Sequence, residues 1–130
     1  MPIPLSRLKG VTPGLATRFK EVGLTTTRQL LAAGGTPESR EMLAAQVGVG
    51  SELILTLVKR ADLLRVQGIG DVYVELLEQT GVDSTAKLAA CHPGSLYADI
   101  IKVNIAKKLT RRPPTLTKIR GWVTQAEQLS

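Results

Sequence analysis

The sequence repeats its pattern of glycines and apolar residues after 58 positions, and this repeat constrains the fold more than any other feature. Gly10-Val11 matches Gly68-Ile69, and Gly23-Leu24 matches Gly81-Val82. Each repeat of this kind is a supersecondary unit that cannot bury its apolar face alone. We therefore expect a single domain over residues 1–130, with repeat one over residues 1–65 and repeat two over residues 66–130.

The spacing of apolar residues is helical throughout, and residues that start helices precede the apolar runs. Pro37 and Pro93 suit the first position of a helix, where the missing N–H costs nothing. The helix from Pro37 is expected to bury Met42, Leu43 and Val47, and Asp83 or Ser84 is expected to cap a later helix. The sequence therefore predicts an all-α, pseudo-twofold fold with about eight or nine helices.

The two repeats differ in length at one place. A long helix from about Glu52 to Arg65 closes repeat one, and a helix from about Thr115 to Leu129 closes repeat two. These closing helices match at a shift of 65 positions rather than 58, so repeat two has gained seven residues. The gain falls within residues 107–114, which we call the inserted segment.

Composition narrows the classes of function. The net charge of +6 favours a polyanionic partner, and the aromatic content of 3% is too low for a base-stacking platform. Cys91 and His92 are the only residues of their types, which predicts no metal site and no cofactor. We interpret Cys91 as a small packed side chain. No stretch approaches the length of a membrane span and no signal peptide is evident, so we expect a cytoplasmic protein without membrane contact.

The glycine turn at Gly68-Ile69-Gly70 resembles the helix-hairpin-helix motif, and the first copy, from Lys9 to Pro13, resembles it more loosely. The resemblance implies tandem helix-hairpin-helix repeats that grip the backbone of a duplex without reading its bases. Free N–H groups at the start of the following helix suit a phosphate. Asp71 departs from the motif, since a carboxylate at that place repels a phosphate. The candidate binding residues at the turns are Lys9, Gly10, Val11, Thr12, Gly14, Arg18, Gly68, Ile69 and Gly70.

A second candidate site is the stretch from residue 102 to residue 120, which contains seven cations and no acid and which we call the basic segment. Arginine suits bidentate contact with phosphate, and lysine supplies a point charge. The segment coincides with the insertion in repeat two. Such a run is also compatible with an ordinary solvated face. Its candidate nucleic-acid-binding residues are Lys102, Lys107, Lys108, Arg111, Arg112, Lys118 and Arg120.

Nearly the whole chain also resembles a bacterial domain-of-unknown-function family with tandem helix-hairpin-helix-like units. The matching runs lie at residues 61–70, 75–83, 109–114 and 122–126. The resemblance implies the fold and leaves the function open.

Three functions remain. We favour a non-enzymatic domain that binds nucleic acid, DNA above all, through backbone phosphates and independently of sequence. The first alternative is a protein-protein interaction module or adaptor that keeps the hairpin fold without binding nucleic acid. The second is an accessory subunit whose charge steers assembly. The sequence contains no nucleophile–histidine arrangement and no phosphate-binding loop, so we do not expect an enzyme. The oligomeric state stays open.

Overall fold

A computed structural model describes residues 3–129 of the chain, and within that range all regular structure is helical. A short 3-10 helix, Leu5–Arg7, precedes the first α-helix, and an isolated bridge joins Pro4 to Thr26. The prediction of an all-α fold is confirmed. The α-helices are α1 (Pro13–Glu21), α2 (Thr27–Ala33), α3 (Pro37–Val47), α4 (Ser51–Leu63), α5 (Asp71–Gln79), α6 (Thr85–Ala89), α7 (Pro93–Lys107) and α8 (Leu116–Leu129).

The chain divides between Ala61 and Asp62, inside α4, into two compact units. In the first unit α1 packs against α3 and the 3-10 helix, and α2 packs against α3. Phe19 and Leu30 are fully buried there. The expectation that both halves form one domain stays a prediction.

In the second unit α8 is the central helix. It packs against α6 and α7, and α5 packs against α7. The buried stripe of α8 includes Ile119, Trp122 and Ala126. The Trp122 ring contacts the Tyr73 ring at 5.3 Å between centroids. A tilted aromatic pair of this kind adds to the stabilisation that area burial supplies.

Hydroxyl side chains cap the starts of α1, α2, α3 and α6. The side-chain oxygens of Thr12, Thr26, Thr36 and Ser84 each accept a hydrogen bond from a backbone N–H three residues later. Such bonds satisfy donors that the helix itself leaves open. Of the two caps predicted for α6, Ser84 has this role, while Asp83 forms an ion pair with Lys87 at 3.0 Å.

The two glycine turns have the same backbone conformation. Gly10 and Gly68 have φ angles of 97° and 92°, in the left-handed region that glycine alone enters readily. After each one, an apolar residue donates its N–H to the carbonyl three residues earlier, at 3.1 Å for Val11 and 3.3 Å for Ile69. These matched conformations are in keeping with the 58-residue repeat.

Each turn is held by the helix that closes its own unit. In the first unit the Arg60 guanidinium donates to the carbonyl oxygen of Lys9 at 2.8 Å. In the second unit the Gln125 side chain accepts from the N–H of Gln67 at 2.9 Å and donates to its carbonyl at 3.4 Å. Arg60 and Gln125 are 65 positions apart, the same shift that aligns the closing helices.

A buried threonine at the start of α6 links that helix to the end of α4. The Asp62 carboxylate accepts from the Thr85 N–H at 2.8 Å and from the Thr85 hydroxyl at 3.1 Å, and it also pairs with Arg65 at 3.0 Å. The matching residue of the first unit, Thr27, is also buried and donates its N–H to the carbonyl of Ile3 at 2.9 Å. The second unit thus uses a side chain where the first unit uses backbone.

The prediction that α3 buries Met42 is wrong, since 66% of that side chain is exposed. Leu43 and Val47 fill the interior positions of α3, and Met42 faces outward beside Glu41. The 58-residue shift also aligns Val47 with Ile105, but the two differ in burial: Val47 is buried, whereas Ile105 is 71% exposed. The helix that carries it continues two residues past the position at which α3 ends.

Replacing Asp62→Ala is expected to lower the free energy of unfolding by about 2 kcal/mol, because it leaves the buried Thr85 N–H without an acceptor. The Arg65→Ala variant is the matched control, since it removes only the half-exposed ion pair and is expected to cost about 0.5 kcal/mol or less. Urea denaturation followed by circular dichroism measures both. Equal losses in the two variants would contradict the role assigned to Thr85.

The Gly68→Ala variant is expected to lose about 1–2 kcal/mol of stability. The φ angle of Gly68 is left-handed, and an added Cβ would lie 3.2 Å from Nε1 of Trp122. The Gly70→Ala variant is the control, because Gly70 has a φ of −106° and no atom lies within 4 Å of its added Cβ. We expect it to stay within about 0.5 kcal/mol of the parent in thermal unfolding. A stability loss for Gly70→Ala as large as that for Gly68→Ala would contradict this assignment.

Candidate nucleic-acid interface

The first glycine turn places its candidate residues at the start of α1. Thr12 caps the helix by accepting from the Leu15 N–H at 3.2 Å, and Gly14 follows in the first turn. Gly14 is exposed, and no atom lies within 4 Å of the position its Cβ would take. Lys9 is exposed on the other side of Gly10, and Val11 is half-buried. The backbone at the start of α1 is therefore open to a ligand.

Arg18 lies further along α1, toward the end of a neighbouring helix. Its Nη1 atom is 3.3 Å from the position that a Cβ on Gly48 would occupy. Gly48 is the C-terminal cap of α3, where the helix dipole favours a cation. This placement gives Arg18 a local structural role that the sequence pattern did not predict.

The second glycine turn differs from the first in two ways: its apolar residue is more deeply buried, and an acidic residue begins the helix that follows. Ile69 is 5% exposed and belongs to the core of the second unit. Gly70 is the N-cap of α5 and supplies no side-chain hydrogen bond, while Asp71 is the first residue of the helix and is exposed. The carboxylate of Asp71 thus lies at the start of the helix, where it repels a phosphate.

The basic segment presents all seven of its cations to solvent. Within residues 3–129, none of the seven forms an ion pair with a carboxylate. The first two lie on α7, the last two lie on α8, and the other three lie between the helices. In chain order the cations are Lys102, Lys107, Lys108, Arg111, Arg112, Lys118 and Arg120.

The connection between α7 and α8 is fixed by hydrogen bonds at several points. The Asn104 amide group donates to the Thr110 carbonyl and accepts from the Thr110 N–H, both at 3.0 Å. The Thr110 hydroxyl accepts from the Arg112 N–H at 3.1 Å, and the Tyr73 hydroxyl donates to the Arg112 carbonyl at 2.9 Å. Pro114 is buried where the connection meets α8. The backbone that carries the two arginines therefore has a defined course.

The inserted segment lines an open depression of about 610 Å³. Lys108, which ends α7 in the left-handed conformation at φ 52°, and Arg111 both contribute to its wall. Ile105 and Leu109 supply apolar surface to the same depression. Two of the predicted cations thus share one concave surface with an exposed apolar side chain.

The structure separates the last two cations of the basic segment. Lys118 and Arg120 are two residues apart on α8, which places their side chains about 200° apart around the helix axis. They lie on either side of the buried Ile119. The seven cations therefore form no single face, and the inserted segment is the part that concentrates them.

Asn104 and Tyr73 are the residues of this site that sequence reasoning missed. Tyr73 lies 39 positions from Arg112, so no local pattern could reveal their hydrogen bond. Asn104 stands in the last turn of α7 and bonds only six residues ahead. A polar amide near the end of an apolar helix was the one available signal.

Cys91 and His92 have local roles in the structure. The half-buried Cys91 thiol donates to the Lys87 carbonyl at 3.2 Å. Burial, with a smaller contribution from the Asp99 carboxylate, raises the pKa of this thiol and so lowers its reactive thiolate fraction. His92 caps α7 by accepting from the Ser95 N–H through Nδ1 at 3.3 Å.

No group of three or more His, Cys, Asp or Glu side chains in residues 3–129 could hold a metal ion. No single helix in the described residues is long and apolar enough to span a membrane. Only α3 and α4 taken together reach the necessary length and apolar character, and a bend of 113° separates them.

The comparisons with known proteins give a family and leave its role open. Neither the search of curated proteins nor the search of solved structures returned a match. One family model, described as a domain of unknown function (DUF4332), matches residues 9–129 and thereby covers both glycine turns and the basic segment. The chain is a member of the DUF4332 family.

Proposed function

We propose that this protein binds nucleic acid, duplex DNA above all, through backbone phosphates, without reading sequence and without catalysing a reaction. The observation that carries the proposal is the inserted segment, where Lys107, Lys108, Arg111 and Arg112 are exposed on a connection fixed by Asn104 and Tyr73. A fixed backbone lowers the entropy lost when the side chains bind. A cation that forms an ion pair within the protein must break that pair before it binds a phosphate. The four cations of the inserted segment form no ion pair with a carboxylate of residues 3–129.

The chemistry of the side chains suits a phosphate chain better than a single small anion. Arg111 and Arg112 are consecutive and offer planar guanidinium groups for bidentate contact. Lys107 and Lys108, at the end of α7, add point charges. Contacts to phosphate supply affinity and register but carry no sequence information. The low aromatic content argues against stacking on unpaired bases.

We infer further that both glycine turns are helix-hairpin-helix turns, and that the first one makes the second phosphate contact. Its exposed Gly14 allows a phosphate to approach the start of α1, beside the Lys9 side chain. The second turn, Gly68-Ile69-Gly70, contributes mainly through its packing on Trp122, because Asp71 opposes an anion there. The inserted segment then supplies the cations that this turn lacks.

We propose that the protein acts in the bacterial cytoplasm and without a cofactor. Bacterial origin, a cytoplasmic location and action without a cofactor all remain predictions from sequence. A protein-protein adaptor remains the alternative, and nuclease treatment separates the two. A partner retained after the nucleic acid is digested would favour the adaptor.

Binding to a short duplex of random sequence is expected to weaken steeply as salt rises. Four or five phosphate contacts give a slope of about −4 in a plot of log affinity against log salt concentration, at about −0.9 per contact. Fluorescence anisotropy with a labelled duplex, from low to physiological salt, measures the slope. The same slope on a second, unrelated duplex is the control for sequence independence. No binding at low salt would end the proposal.

Double reversal of Arg111→Glu and Arg112→Glu is expected to lower affinity at least tenfold and to reduce the salt slope by about 2, since two phosphate contacts are lost. The side chains of both residues are exposed, so the fold should be retained. The matched control reverses Lys20→Glu and Arg28→Glu, two exposed cations on α1 and α2 that change the net charge equally. If both double variants lose affinity alike, net charge alone governs binding and the inserted segment has no special role.

A further inference from the structure

The first unit contains an apolar groove that nucleic-acid binding does not use. It has a volume of about 190 Å³ and lies between the end of α1, the end of α2 and one side of α3. Met42 is 66% exposed and Val22 is 38% exposed, which makes them two of the most exposed large apolar side chains among the described residues. Exposed apolar surface gathered at a concave site is typical of a binding surface. The groove is lined by Val22, Leu24, Ala33, Ser39, Met42, Leu43 and Gln46.

The charges that α3 presents beside this groove are acidic. Glu38 lies one helical turn before Met42, and Glu41 is adjacent to it; both are exposed. The one cation of α3, Arg40, is turned away, since its guanidinium donates to the Gly34 carbonyl at 2.9 Å. A third carboxylate, Glu21, ends α1 next to Val22. An occupant with an apolar anchor and cations at helical spacing would fit this arrangement.

The outward face of α7, in the second unit, has that complementary character. Ile105 is the most exposed large apolar side chain of the described residues, at 71%. Lys102 precedes it by three residues on the same side of the helix, and Lys108, at the end of α7, lines the same depression as Ile105. Ala98 and Ala106 complete the outward surface and leave Ile105 prominent.

We propose that the groove of one copy of this protein receives the outward face of α7 of a second copy. Ile105 enters beside Met42 and Val22, and Lys102 and Lys108 face Glu38 and Glu41. The two surfaces are different, so each contact joins the groove of one copy to the α7 face of another. The anchor is a single side chain, so association is weak and rises with protein concentration. This inference does not depend on nucleic-acid binding.

Sedimentation equilibrium of the nuclease-treated protein tests the proposal. The weight-average mass of the parent is expected to rise above that of the monomer as concentration increases, and to fall back toward the monomer at high salt. The Met42→Ser and Ile105→Ser variants are each expected to remain monomeric, since each lacks one of the two surfaces. An equimolar mixture of the two variants still contains one intact groove and one intact α7 face. The mixture is therefore expected to form a one-to-one dimer and nothing larger.

The control is the Val72→Ser variant, which changes a 45% exposed apolar residue of α5 and is expected to associate like the parent. Circular dichroism of all variants confirms that they are folded, and all three positions are exposed enough to tolerate serine. A parent that stays monomeric at every concentration would overturn the proposal. So would a mixture of the two variants that fails to dimerise, or association that survives either substitution. Because Arg111 and Arg112 are intact in these variants, duplex binding tests the proposed function separately.

Discussion

The seating of each glycine turn on the closing helix of its unit is the contact on which the rest of the structure depends. A left-handed glycine reverses the chain within a few residues, but the reversed backbone then needs partners for its polar groups. Arg60 provides one to Lys9, and Gln125 provides two to Gln67. An added Cβ would lie 2.9 Å from Nη1 of Arg60 at Gly10 and 3.2 Å from Nε1 of Trp122 at Gly68, so a side chain at either position would crowd the closing helix. The helix after the turn can then begin at a fixed place, which determines where its open N–H groups point.

The two units satisfy the N–H of a buried threonine at a helix start with different acceptors. At the start of α2, Thr27 bonds the backbone of Ile3, whereas at the start of α6, Thr85 bonds the carboxylate of Asp62. The backbone bond uses the segment before the first turn, where Pro4 forms an isolated bridge with Thr26. The side-chain bond uses the end of α4, which stays helical through Leu63. The chain therefore passes from the first unit into the second within α4, without a separate linker.

Helix positions and starts could be predicted from sequence because they rest on local chemistry. Thr12, Thr36 and Pro93 act within a few residues of themselves, and the structure places them at helix starts as their types require. Burial could be predicted only in part on a helix with apolar residues on more than one side. The sequence predicts that Met42 and its neighbour Leu43 are both buried, and only the positions of the other helices show that Leu43 is buried and Met42 is not.

At the candidate site, too, the sequence predicts which residues are present but not how they are arranged in space. The cations of the inserted segment could be located from sequence, because charge and insertion length are properties of the chain itself. Their arrangement could not, since it depends on the bond between Tyr73 and Arg112 and on the left-handed turn at Lys108. The inserted segment is only partly outside the core of the second unit: Leu109 packs against that core and Pro114 is buried, while the four cations are exposed. Exposed side chains are free to carry charge, and the anchoring of the backbone by Asn104 then gives that charge a defined position.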